Sequence, residues 1–189
     1  MQKTVTYFEK AGHENTVQCA TIVRGAVKDS ACRHVVVATT SGDTGQMFAE
    51  ALKDSGINLV VVTHSHGFKE PNHSEITDAM KEKIKSLGAK IYTGTILTHN
   101  LETALALQFS GVYPTLLIAQ TLRRFGEGAK VCCEIVMMAA DAGLIPEGEE
   151  VIAAAGTARG SDTVMIIRSA TSKRFLNLKV LEILAKPRG

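Results

Sequence analysis

The chain has 189 residues, of which 45% are hydrophobic and 21% charged, and a formal net charge of +2, a balance that suits one soluble domain with an ample core. No dense Lys/Arg run or aromatic–basic stripe argues for a nucleic-acid partner, and no uninterrupted apolar stretch reaches the roughly 18 residues of a membrane span. The opening MQKTVTYFEKAGHE lacks the apolar core of a signal peptide, and Cys19, Cys32, Cys132 and Cys133 show no CxxC spacing, so neither a disulfide framework nor a zinc site is expected and the cytoplasm is the default.

No linker, repeat or low-complexity tract divides residues 1–189, which read as a single domain. Residues 15–30 predict a helix that Asn15 or Thr16 can cap, with Cys19, Ile22, Val23, Ala26 and Val27 on its apolar face. Val35–Ala38 is a continuous β-branched run, the mark of a strand covered on both faces. Thr44–Lys53 comes next as a helix, Leu59–Thr63 as a second buried strand, Glu75–Leu87 as a helix ending at Gly88, and Lys90–Thr93 as a short strand. Residues 101–109 are helical. Pro114–Ala142 is a longer helical pattern that Gly126 and Gly128 should break, because interior glycine costs about 1 kcal/mol relative to alanine. Val151–Ala155 and Thr163–Arg168 are further strands, and Leu178–Leu184 is the last candidate element.

Strands alternating with helices predict an α/β fold: a three-layer α/β/α sandwich around a mostly parallel sheet of about five strands. In such a sheet the loops that leave the carboxyl ends of the strands share one edge, where open α/β sheets bind ligands. The turns on the opposite edge are bland (DSACRH, DSGIN, LGAK, GLIPEGEE), and Glu147, Glu149 and Glu150 there read as a solvated acidic turn. The carboxyl edge carries ATTSGDTG, THSHGFKEPNHS, TGTILTHN and GTARGSDT, together with GHENT and FGEGAK.

Two of these loops suit an anion. Thr39, Thr40, Ser41, Gly42 and Thr44 put small hydroxylated residues and a glycine ahead of a helix whose first N–H groups have no intrahelical acceptor. The alternative is an ordinary N-cap by Ser41 or Thr40. The loop is neither a Walker A nor a GxGxxG fingerprint, and Asp43 has the wrong charge for a phosphate. Gly156, Thr157, Arg159, Gly160, Asp162 and Thr163 form the second loop, in which Arg159 can pair with an anion; the alternative is a turn between strands. Lys130, in the first turn after the glycine break, is a candidate to neutralise a phosphate, or a solvated lysine. Asn15 at a helix start faces the same edge, as do Thr63 and His64. His64, His66, His73 and His99 lack a carboxylate or thiolate at metal-ligand spacing, so no metal is assigned. His64 and His99 are instead candidates to border the cleft as donors or proton-transfer groups. Cys132, Cys133, Met137 and Met138 read as core.

The strand–TSG–helix order, then VVVTH, then MMAADAGLIPEGEEVIAAAGTARGSDTVMIIR resembles the C-terminal α/β domain of pyruvate kinase. It is similar in particular to stand-alone proteins of archaea and bacteria that carry this domain without the kinase barrel. The pattern stands here as Phe8-Glu9, Gly12, Glu14-Asn15-Thr16, Thr40–Thr44, Val62–His64, Gly67-Phe68, Thr121–Val131, Ala139–Pro146 and Gly156–Thr163, covering nearly the whole chain. The resemblance implies a phosphate site at the TSG loop and flavin mononucleotide (FMN) as the ligand; Asp162 is a candidate to accept from a ribityl hydroxyl or the flavin ring, the alternative being a turn formed with Thr163. Asp43 stands where the kinase usually has a basic residue, so a single phosphate is expected in place of a sugar bisphosphate. Pyruvate kinase catalysis is not expected without the barrel. A sensor module for a sugar phosphate or nucleotide, and a flavin-dependent oxidoreductase, remain open alternatives, and a homo-oligomer is compatible with such a domain.

Overall fold

The computed structural model describes residues 2–189. One seven-stranded sheet is built from β1 (Thr6–Phe8), β2 (His34–Ala38), β3 (Asn58–Thr63), β4 (Lys90–Thr93), β5 (Glu150–Ala155), β6 (Thr163–Arg168) and β7 (Lys179–Pro187). Their order is β1-β7-β6-β5-β2-β3-β4. Only β6 runs antiparallel to its neighbours. The sheet thus exceeds the expected five strands by two. The three-residue β1 is too short to show a period in sequence, and it exists because the chain end lays β7 beside it in parallel register.

The helices are α1 (Thr16–Asp29), α2 (Asp43–Ala51), α3 (Asp78–Ser86), α4 (Leu101–Phe109), α5 (Pro114–Leu122) and α6 (Glu127–Asp141). Alternation along the strands divides the core into two layers. Val35 and Val37 of β2, Val61 of β3 and Ile152 of β5 pack with Cys19, Val23, Phe48 and Ile84 of α1–α3. Val36, Val60, Val151 and Ala153 face the other way, onto Cys132, Cys133, Val136 and Ala139 of α6. A strand covered on both faces needs apolar residues of both parities, which is why β2 and β3 read as unbroken valine runs. Cys132, Cys133, Met137 and Met138 are buried, as expected of core.

Some boundaries differ from the sequence pattern. α3 begins at Asp78, not Glu75, because the Thr77 hydroxyl accepts from the Met80 N–H and sets the cap there. The helical break falls at Gly126, while Gly128 lies inside α6, where its missing side chain lets the helix settle on Thr163. Glu147, Glu149 and Glu150 are exposed, as a solvated turn requires, and each also has a partner: Glu147 pairs with Arg174 at 2.5 Å, Glu149 with His34 at 3.3 Å and Glu150 with Arg168 at 3.7 Å.

β2 leads through α2 to β3 on one side, and β5 arrives beside β2 on the other. The strand order therefore reverses between β2 and β5, with α2 and α6 on opposite faces of the sheet. A crevice at the carboxyl ends of these two strands results from the topology.

Candidate functional site

That crevice is a cleft of about 1070 Å³, at the upper end of the ~300–1,000 Å³ common for small-molecule sites. It runs from the β5–β6 loop across the carboxyl ends of β2 and β3 to the segment after β4.

At one end lies the loop between β2 and α2. Gly42 sits at φ 105°, a left-handed conformation that costs glycine little, and so turns the strand into the helix. The buried Thr39 hydroxyl accepts from the Gly42 N–H at 3.1 Å and the Gly45 N–H at 3.3 Å. Gly42 holds the N-cap position of α2, and the Thr39 hydroxyl, rather than that of Thr40 or Ser41, takes up an N–H of the first turn. It leaves the N–H groups of Asp43 and Thr44 without an acceptor among the described residues. The Ser41 hydroxyl donates to the Asp43 carboxylate at 2.6 Å, which engages the acidic group at the helix start, where the macrodipole favours it.

The β5–β6 loop adjoins this cradle, and its polar groups are largely turned inward. The fully buried Asp162 carboxylate accepts from the Gly12 N–H at 3.0 Å, the Thr157 N–H at 3.0 Å and the Thr163 hydroxyl at 2.8 Å. The Ser161 N–H donates to the Thr16 hydroxyl at 3.0 Å, and that hydroxyl donates to the His13 carbonyl at 2.6 Å. Gly160, at φ 73°, comes so close to His13 that a Cβ would stand 2.5 Å from its Cα. The loop is thereby clasped to the segment GHENT. Arg159, exposed on the rim, has no ion-pair partner among the described residues.

Beyond β3 the cleft becomes richer in titratable groups. His64 Nδ1 meets Glu75 at 2.5 Å, and Lys69 meets the other oxygen of that carboxylate at 2.8 Å. Burial alone would push the Glu75 pKa up, but the hydrogen bonds from Lys69 and His64 prevail and hold it below its ordinary value. A carboxylate does therefore stand beside the histidines, supplied by the loop before α3 and not by their own segment. Phe68 packs against His64 with ring centroids 4.3 Å apart and presents an edge to His99 at 6.3 Å. Lys130 is neither solvated nor free. Its ammonium meets Glu134 at 2.5 Å in a pair that is almost fully buried, and the second oxygen of Glu134 accepts from the Thr98 N–H at 2.8 Å and hydroxyl at 2.7 Å. Burial first, then the charge of Lys130, holds the pKa of His99 below its ordinary 6.5.

Of the expected site residues, Thr39, Thr40, Ser41, Thr44, Thr63, His64, Lys130, Gly156, Arg159 and Gly160 line the cleft. Gly42, Thr157, Asp162, Thr163 and Asn15 do not. Asp162 and Thr163 hold the loop together from beneath, and the Asn15 amide donates to the Lys10 and Gly12 carbonyls at 2.9 and 3.1 Å, so it neither caps α1 nor faces a ligand. His99, His73 and His13 line the cleft and His66 does not. The sequence reading missed Glu75, Thr98 and Glu134. Of these only Glu134 left a trace in sequence, as the i+4 partner of Lys130. Among the described residues no group of three or more His, Cys, Asp or Glu side chains is arranged to hold a metal, and no single helix is long and apolar enough to cross a membrane.

Residues 17–167 match the family model of the pyruvate kinase, alpha/beta domain. The chain belongs to that family. Among solved structures it is similar to Cryptosporidium parvum pyruvate kinase in complex with ADP, at 16% identity and a TM-score of 0.44, over 82% of this chain and 24% of that one. It is also similar to Escherichia coli diaminopropionate ammonia lyase in apo form, at 16% identity and a TM-score of 0.30, over 70% and 39% of the respective chains. This pyruvate kinase alpha/beta-domain chain thus spans about a quarter of the length of the parasite kinase chain.

Proposed function

We propose that this pyruvate kinase alpha/beta-domain protein binds a phosphorylated small molecule in the carboxyl-edge cleft, with FMN the first candidate. The observation that carries the reading is the meeting of two anion-seeking features at the strand-order reversal. One is the helix start at Asp43 and Thr44, whose N–H groups have no protein acceptor among the described residues. The other is Arg159. Four Lys or Arg residues line the cleft; Lys69, Arg123 and Lys130 are paired with Glu75, Glu127 and Glu134, which leaves Arg159. Backbone N–H groups at a helix start suit one phosphate group, and Asp43 disfavours a more heavily charged ligand.

The volume and lining of the cleft fit FMN. Thr40, Ser41 and Thr44 would hold the phosphate, Arg159 and the glycines of the β5–β6 loop would close over it, and Phe68, Val62, Ile96 and Met138 supply apolar wall for a planar ring. A bound flavin would supply electron and hydride transfer. The protein's own contribution at that end is His64. With Nδ1 directed to Glu75, its other ring nitrogen is left for a hydrogen bond to a ligand.

The test is a visible spectrum of the purified protein and a titration with FMN, riboflavin and inorganic phosphate. FMN should bind saturably and riboflavin at least about 10-fold more weakly, since it lacks the phosphate. The substitution Ser41→Asp should weaken FMN about 100-fold or more by like-charge repulsion. A colourless protein that ignores FMN at about 100-fold excess removes the cofactor claim.

A sensor module without chemistry is the second reading, and the state of the thiols favours it. All four cysteines are buried, and burial pushes Cys19 and Cys133 up to about 12, so no thiolate nucleophile is at hand. A thermal-shift panel separates the readings, because stabilisation by sugar phosphates or nucleotides and not by FMN belongs to the sensor. The same unpaired buried thiols support the expectation of a reducing compartment such as the cytoplasm.

A further inference from the structure

We propose that the corner formed by α4 and α5 is a self-association surface, through which two copies of this chain form a homodimer. The two helices, with the turn that extends α5 to Phe125, meet at 106°. Residues 101–122 carry a single charged side chain, Glu102. Its carboxylate is already engaged within the corner, by the N–H of Thr115 at 2.8 Å and by the Thr115 hydroxyl. The corner thus carries one carboxylate, held by Thr115, with the exposed Arg124 at the end of its second arm.

None of the nine residues of α4 is buried. Leu101, Leu105 and Phe109 fall at i, i+4 and i+8 on one side of it, while Leu107 points elsewhere and Val112 lies at the turn. Exposure reaches 79% at Leu101, 84% at Leu107, 71% at Phe109 and 75% at Val112. A helix with leucines and a phenylalanine on several sides is normally covered on several sides, and this fold covers α4 chiefly with α5. Leu101, Leu105, Leu107, Phe109, Val112 and Leu117, each between 42% and 84% exposed, together offer apolar surface on the order of the ~800 Å² that each partner brings to a standard interface.

The shape and chemistry favour a second copy over a bilayer. A helix that lies in a membrane surface keeps a charged, usually basic, face toward water, and neither α4 nor α5 has one. Two corners related by a twofold axis bring apolar arms against apolar arms, as an isologous contact requires. The corner is also continuous with the cleft at both ends, through His99 before α4 and Arg123 after α5. Its partner would thus steady the far wall of the site.

The experiment is sedimentation and light scattering of the full chain between about 1 and 100 µM, with Leu107→Asp and Phe109→Asp as probes. Both positions are exposed, so circular dichroism should report unchanged folding. The expected result is a dimer whose dissociation constant rises about 100-fold or more in each variant. Hydrogen exchange on the unmodified chain gives an independent reading, with residues 101–117 gaining protection as concentration rises. A monomer at the highest concentration, a dimer indifferent to both substitutions, or exchange in the corner that ignores concentration would overturn the proposal. So would a monomer that floats with phosphatidylcholine vesicles, which would assign the surface to lipid.

Discussion

The loops Thr39–Thr44 and Gly156–Thr163 have nearly the same composition, stand side by side at the ends of β2 and β5, and do different work. The first closes around a single acceptor, the Thr39 hydroxyl, and leaves helix N–H groups open to the cleft. The second turns Ser161, Asp162 and Thr163 inward, binding itself to Gly12 and Thr16 some 145 residues or more away in sequence, and leaves Arg159 and glycine backbone at the rim. One is a cradle and the other a clasp. The difference arises from the element that each strand leads into. A helix start exposes N–H groups that side chains cannot all reach, whereas a turn into an antiparallel strand must satisfy its own buried groups.

The comparison breaks most visibly at Asp162. Asp162→Ala should strand two backbone N–H groups and a hydroxyl in the interior and cost about 3 kcal/mol or more, read from urea unfolding. The clasp assignment fails if the variant keeps its stability but loses ligand, since that would make Asp162 a binding residue. A smaller effect belongs to Arg159→Gln, which should leave stability within about 0.5 kcal/mol and weaken a phosphorylated ligand about 10-fold. Equal affinity for riboflavin before and after that change, alongside weaker FMN binding, would place the arginine on the phosphate.

The smallest expected effect is on pH dependence. His99 has a folded-state pKa held below 6.5, and Glu75 one held below 4.5. Both shifts make the unfolded chain bind more protons than the native one. Stability should be level above the histidine value and fall as pH drops through 6.5, with the Glu75 contribution lost later, below 4.5. His99→Asn should flatten the first part of that decline in urea midpoints measured between about pH 5 and 8. A slope that the substitution leaves unchanged would mean that Lys130 and burial do not act on His99.

Much of this was legible in the residues. The valine runs of β2 and β3 announced strands covered on both faces, and Gly126 announced the break before α6. The TSG and GTARGSDT loops could be placed on one edge because right-handed crossovers leave only one arrangement. The roles inside those loops were not legible. Thr40 and Ser41 read as the candidate caps in sequence, and only the path of the turn through Gly42 brings the hydroxyl of Thr39 instead within reach of two N–H groups. Asp162 reads as a ligand acceptor until Gly12, at the far end of the chain, is seen to occupy it.

Local pattern and charge thus determined the layers, the edge and the identity of the two loops, because periodicity and turn chemistry act over a few residues. Tertiary structure decided which polar groups are already engaged with the protein and which remain open. It drew Glu75 to His64 and Thr98 to Glu134 from separate segments, and left α4 covered chiefly by α5. Those outcomes depend on long-range packing, where hydrogen bonds are satisfied between residues that no spacing rule connects.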